Sequence, residues 1–198
     1  MSEGGGTQAR DLSGNENHGT ITGAQWRTER NGRVIRFDGI DDYIQIAHSA
    51  SLNITAPGLT LMGWVNRSNA GTYVMLIAKR LTNSIPFQLF WGSSGDPSPH
   101  QIAFSMNTQT AFLKGTTQNL SGWHHIAGTY DGANMRIYLD GTQDASQAQT
   151  GNINSDTVVV SIGRDNAGTF SDHDYSNIRI YNRALTASEI KDIYTSER

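Results

Sequence analysis

The chain has 198 residues, a net charge of −3 and no cysteine, which excludes disulfides, thiolate zinc sites and cysteine nucleophiles. Charged residues make up only 17% and glycines number 21. With a pI near 6.0 and no basic run, the chain lacks the cationic footprint of a nucleic-acid binder. Its apolar runs are a few residues long, far short of the ~20 a membrane-inserted helix needs. A hydrophobic fraction of 36% beside so small a net charge argues for a folded chain rather than a disordered one. The length suits one domain, residues 1–198. The opening Met-Ser-Glu-Gly-Gly-Gly-Thr has neither a basic n-region nor an apolar h-region, so no signal peptide is read there. That leaves a protein acting where it is made, or a domain of a longer secreted chain.

In chain order, the dominant period is two from Gly19 to about Tyr181. Strands are predicted at 33–37, 43–47, around Trp64, and at 73–78, 87–91 and 102–106. Further strands are predicted at 123–130, 134–140, 158–162 and 178–181. In 43–47, Ile44 and Ile46 alternate with Tyr43 and Gln45; in 134–140, Met135, Ile137 and Leu139 alternate with Arg136 and Tyr138. The run Leu-Thr-Leu-Met-Gly-Trp-Val around Trp64 is nearly all apolar, as a strand covered on both faces should be. Asp38-Gly39, Asp131-Gly132 and Asp140-Gly141 are turn dipeptides. One helix is signalled near the C-terminus. Thr186 and Glu189 form a capping box, Leu185 and Ile190 a hydrophobic staple, and Ile190, Ile193 and Tyr194 share a face. Without β–α alternation, the fold class is all-β: a two-sheet antiparallel β-sandwich with one short C-terminal helix.

Several segments occur in a telling order: DLSGNENHGTI from Asp11, RVIRFDGIDDYIQI from Arg33, LTLMGWVNR from Leu59 and GWHHIAGTYDG from Gly122. They continue with MRIYLDG from Met135, SIGRD from Ser161 and IRIYNRALTASEIKDIY from Ile178. This ordered set resembles the laminin-G-like jelly rolls of the concanavalin A-like lectin/glucanase superfamily. The resemblance implies two antiparallel sheets, one concave, with a binding edge built from loops, and Trp64 and Trp123 as large fillers between the sheets. Two departures from the family stand out. An aromatic-rich strand that usually precedes the equivalent of residues 2–7 is expected to be missing, truncated or supplied by another chain, since an unpaired sheet edge is a template for one. An acidic pair usual before the last strand is replaced by Ser176 and Asn177.

The turn at 38–42 gathers Asp38, Asp41 and Asp42, a set that suits either a self-capped turn or part of a Ca²⁺ site. On the resemblance, a structural Ca²⁺ would take Asp11, Asp38 and Asn177 as ligands. His124 and His125 point to opposite faces of one strand, so they cannot chelate one ion together and are read as packing residues. Catalysis is not expected. The glucanase relatives' Glu-x-Asp-x-x-Glu run is absent, and so are a Gly-x-Ser-x-Gly elbow and a phosphate-cradling loop.

What remains is a non-catalytic recognition module, read as binding glycans at a loop edge. Glycans need aromatic faces with amides and charges to fix hydroxyls. The candidate ligand-binding residues are Arg80, Asn83 and Trp91 on one side, and Arg164, Asp165 and His173 on the other. For Trp91 a core position competes with an exposed stacking role, because it and Phe90 must face opposite ways. The second functional reading is a structural or adhesion domain of a surface or virion protein, with a protein partner or a second copy at the open edge. An extracellular or surface-exposed setting fits both.

Overall fold

Alternation along each strand decides which side chains meet between the sheets, and hydrogen-bonded register carries that choice to the neighbouring strand. The computed structural model describes residues 6–29, 32–67, 73–81, 84–92, 101–107, 112–165 and 168–198. The first strands are β1 (Gln8–Ala9), β2 (Gly19–Thr22), β3 (Gln25–Glu29), β4 (Gly32–Arg36) and β5 (Tyr43–Ile46). The middle strands are β6 (Leu59–Arg67), β7 (Val74–Leu81), β8 (Ser84–Trp91), β9 (Gln101–Met106) and β10 (Leu113–Gln118). Then follow β11 (Gly122–Tyr130), β12 (Asn134–Leu139), β13 (Thr142–Ala148), β14 (Val160–Ile162), β15 (Asp174–Tyr181) and the helix α1 (Ala187–Ser196).

They form two antiparallel sheets. One runs β1-β2-β5-β14-β7-β8-β9-β10 and the other β13-β12-β11-β6-β15-β4-β3. This is the two-sheet sandwich with one helix that the alternation predicts. The main core lies between the sheets, where Phe37, Leu59, Leu61, Leu89, Trp91 and Phe104 are fully buried. Strands β3, β10 and β13 escaped the sequence reading. Their sequences QWRTE, LKGTTQ and TQDASQA hold few apolar residues to alternate, and each lies at the outer border of a sheet.

The helix forms as its sequence dictates. The Thr186 hydroxyl accepts the Glu189 N–H at 3.3 Å, and a Glu189 carboxylate oxygen accepts the Thr186 N–H at 2.8 Å. Leu185 and Ile190 then pack on Met62, Ala127 and Tyr138 on the outward face of the seven-stranded sheet. Thr60 latches the approach, donating to the Arg183 carbonyl at 2.8 Å and accepting from the Leu185 N–H at 2.9 Å. At the β12–β13 turn, Asp140 and Gly141 both have positive φ, +50° and +75°, the geometry of a primed hairpin turn. Gly141 is required twice over, because a Cβ there would lie 2.9 Å from the Tyr194 ring. The helix can therefore approach this turn closely, and that approach builds one side of a groove.

Candidate functional site

Register sends Trp64 and Trp123 outward. Leu59, Leu61 and Val65 of β6 face the core, so Trp64, of opposite parity, faces away with its partner His125 on β11. Trp123 shares that outward parity. Neither is an inter-sheet filler, as the family resemblance implied; the apolar run around Trp64 is covered outside by the helix instead. Together they line a groove of about 520 Å³ between the tail of α1 and the outer face of the seven-stranded sheet.

One wall is the helix end. Tyr194 stacks on Trp64 with ring centroids 5.6 Å apart and planes 22° from parallel. The Trp64 indole N–H donates to Glu197 at 2.9 Å, and Glu197 also pairs with Arg179. The opposite wall is Trp123, half-buried, whose indole N–H donates to Glu29 of β3 at 3.0 Å. Its ring stacks on no other aromatic among the described residues. Between the walls lie Val34, Ser176 and Asn177. Asp140 closes one side, accepting the His125 backbone N–H at 3.0 Å and bonding His124 Nδ1 at 2.8 Å. Burial works to raise the Asp140 carboxyl, but the His124 and His125 hydrogen bonds outweigh it and hold the group below the usual carboxylate value.

Asn177 owes its place to a bulge. Pairing between β15 and β6 shifts between Ser176 and Arg179, and Asn177 takes φ +48°, a left-handed conformation that Asn tolerates better than most residues. The opposing position is Gly63, where a Cβ would sit 3.2–3.4 Å from Ile178 and the Ser176 carbonyl. The glycine leaves room for the bulge, a feature common beside binding sites. Beneath the aromatic wall, His125 is fully buried, 5.5 Å centroid to centroid from Trp64. Burial pulls its imidazole down to about 4, so it is neutral at pH 7.

The sequence-predicted residues fall in three places. Arg80 and Arg164 belong to the eight-stranded sheet and its border. Arg80 donates to Gln88 at 3.0 Å, and Gln88 donates on to Ser105 at 2.9 Å, a polar row across β7, β8 and β9. The Arg164 guanidinium lies 3.6 Å over the Tyr43 ring. Asp165 is buried and closes a turn, accepting the Thr169 N–H at 3.0 Å. It and Arg80 both act electrostatically on Tyr73, whose phenol is pushed up first by burial and then by Asp165. Asn83 and the 96–100 loop lie outside the described residues.

Trp91 and His173 are not on a binding edge. Trp91 is 0% exposed, with the Arg67 guanidinium 4.5 Å over its ring and His124 edge-on at 5.7 Å. Its neighbour Phe90 takes the outward position, covered by Met75 and Phe112. His173 is equally buried, and desolvation, then the nearby Arg67 charge, lower its imidazole to about 4. A ring sealed between the sheets offers no face to a sugar.

The three metal candidates are also divided. Asp11 closes its own loop, accepting from the Ser13 N–H at 2.9 Å, the Ser13 hydroxyl at 2.7 Å and the Asn17 N–H at 3.0 Å. The register pairing Asp174 with Arg36 puts Asn177 roughly five strand positions, about 16 Å, from Asp38. Asn177 therefore belongs to the groove and not to a site shared with Asp38. Carboxylate oxygens of Asp38, Asp41 and Asp42 do lie within 4.8 Å of one another. Two of these groups also serve the turn. Asp38 accepts the Ile40 N–H at 2.8 Å, and Asp42 accepts the Asp38 N–H at 2.9 Å. His124 and His125 point to opposite faces, toward Trp91 and Trp64.

A family model described as the concanavalin A-like lectin/glucanases superfamily matches residues 38–191. Among solved structures, the binding domain of Paraclostridial Mosquitocidal Protein 1 superposes with a TM-score of 0.71 and 19% identity, covering 94% of this chain and 49% of that one. Domain 4 of AbnA, an extracellular arabinanase of Geobacillus stearothermophilus solved with arabinotriose, gives 0.70 and 17%, over 89% of this chain and 87% of that one. A botulinum neurotoxin type C structure, described as entering cells through two ganglioside molecules, gives 0.71 and 11%, over 96% and 48%. The chain thus spans about half the length of the toxin chains it matches. At these identities the likenesses establish the fold. A search of the curated proteins by sequence finds no match. With most of its length matched by the family model, this chain belongs to the concanavalin A-like lectin/glucanase superfamily.

Proposed function

We propose that the protein is a non-catalytic glycan-binding module whose site is the groove between α1 and the seven-stranded sheet. The observation that carries this reading is Trp123. Its half-buried indole stacks on no other ring among the described residues, is held in orientation by Glu29, and borders a groove of about 520 Å³. An indole face suits the C–H face of a pyranose, and the carboxylates and the Asn177 amide around it suit hydroxyls. Similarity to a glycosidase domain solved with arabinotriose and to a ganglioside-dependent toxin supports the same reading.

The engagement of two of the groove's three carboxylates supports a non-catalytic reading. Asp140 is held ionised and cannot serve as a general acid at neutral pH. Glu197 is bound to Arg179 and an indole N–H. An extracellular setting, as part of a longer protein, accords with the neighbours' descriptions. Calcium at the 38–42 turn is a separate proposal, resting on the three clustered carboxylates; an identical melting temperature in EDTA and in millimolar calcium would end it.

The test of glycan binding is titration calorimetry with a broad oligosaccharide panel, repeated on Trp123→Ala. Binding to at least one sugar, lost in a variant that melts near the parent temperature, is the expected result. Silence across the panel would overturn the reading and favour a protein partner.

A further inference from the structure

We infer, resting on the glycan reading above, that the groove selects sugars carrying only hydroxyl, amide or ammonium groups and rejects those carrying a carboxylate. The argument is a count of what the groove offers. Glu29, Asp140 and Glu197 all line it. Each accepts one or two N–H bonds from the protein: Glu29 from Trp123, Glu197 from Trp64, and Asp140 from the His125 backbone. An ionised carboxylate can accept about four hydrogen bonds, so each keeps lone pairs for a ligand's O–H or N–H. Donors are fewer. Both indole N–H groups are committed to glutamates, and the Ser176 hydroxyl is turned to the Arg33 carbonyl at 3.4 Å. The Asn177 amide and the Tyr194 phenol are the neutral side-chain donors that remain on the lining, against three carboxylates.

Charge points the same way. Arg179 neutralises Glu197, and His124 bonds Asp140 from the inner side of the sheet, where its ring lies against Trp91. Among the described residues the one cation on the lining is Arg198, at the end of the helix wall, with its guanidinium 5.9 Å over the Tyr194 ring. Glu29 stands on the opposite wall beside the free indole face, with no ion-pair partner among the described residues. A sugar stacked on Trp123 would therefore place its ring substituents beside Glu29. A hydroxyl or ammonium there gains a hydrogen bond; a carboxylate meets a like charge in a site that screens it poorly.

The experiment is titration of the 198-residue protein with matched pairs that differ only in the acid group: α-1,4-galactotriose with trigalacturonate, and the carboxyl methyl ester of 3′-sialyllactose with 3′-sialyllactose itself. The expected result is that the neutral member of a bound pair binds at least about tenfold more tightly. The gap should narrow in the double variant E29Q/D140N, which removes two charges and keeps hydrogen-bond acceptors at both positions. Equal or tighter binding of the acidic member, or a gap unchanged in the double variant, would overturn this inference while leaving the glycan reading intact. Absence of binding by every sugar of the wider panel would instead take down the glycan reading itself.

Discussion

The strands that carry Trp91 and Trp123 teach opposite lessons about the same side chain. Trp91 is sealed between the sheets and touches Arg67 and His124, a buried cation and an imidazole. Trp123 stands on the outer face, with its N–H donated to Glu29. The inner tryptophan is stability; the outer one is available for recognition. What separates them is parity on their strands, because each is one residue away from a position facing the other way. The comparison also assigns the two buried histidines. His173 belongs with the inner group near Arg67, and His125 with the outer group under Tyr194.

The largest effect should come from the inner side. Trp91→Ala removes a fully buried ring and should cost about 3–5 kcal/mol. It also strips the cover from Arg67, whose guanidinium burial already lowers to about 10. Urea midpoints should fall accordingly, and any sugar binding lost by this variant should return in the fraction that remains folded. A Trp91→Ala protein as stable as the parent would break the contrast at its root.

Acid should act on both regions together. In the native state His125 and His173 take up a proton only near pH 4, chiefly because burial disfavours the charged ring. In the unfolded chain they do so near 6.5. Between those values the unfolded state binds more protons, so stability is complete above about pH 6.5 and is lost as pH falls toward 4. The two groups together should contribute several kcal/mol, on the order of 3 each. His125→Phe should flatten roughly half of that slope between pH 7 and 5. An unchanged slope would place the titration elsewhere.

Much of this was legible before any coordinates. The capping box at Thr186 and Glu189 is present as the spacing demanded, and β5, β9 and β12 fall within a residue or two of the alternation. The opposite directions of His124 and His125 follow from strand geometry alone. The aromatic site was not legible, for two physical reasons. Where both faces of a strand are covered, composition no longer says which face is inside. Phe90 and Trp91 are 7% and 0% exposed, and the run from Leu59 to Val65 is nearly all buried. A bulge then resets parity, and nothing in Ser176-Asn177-Ile178 announces one except an Asn suited to positive φ. Glu29 was lost with β3, a strand too polar to be read.

The helix wall offers a smaller lever. Thr186→Ala removes the N-cap bond and should lower stability by about 1 kcal/mol. Because the same helix carries Tyr194 onto Trp64, sugar affinity should fall modestly, by less than in Trp123→Ala. Thermal melts with calorimetry on one preparation would read both. Full loss of binding in Thr186→Ala, with the helix intact by circular dichroism, would mean that the wall and not the free indole carries recognition.

The smallest stability change, and the cleanest separation of scaffold from site, is expected at Asn177. Its φ of +48° costs an ordinary L-residue about 1 kcal/mol or more, Asn somewhat less and glycine nothing. Asn177→Gly should keep the bulge opposite Gly63. The relief of strain should be offset by the extra freedom of glycine in the unfolded chain, leaving stability within about 1 kcal/mol of the parent. The amide, however, is gone from the groove. Asn177→Ala also removes the amide but retains a Cβ in the left-handed region, and should be the less stable of the two. If the amide holds a sugar hydroxyl, both variants bind equally weakly although their melting temperatures differ. If the bulge shape alone matters, binding follows stability, and the glycine variant behaves as the parent does. Melting curves and sugar titrations on the two variants decide between an Asn kept for its side chain and one kept only for its backbone.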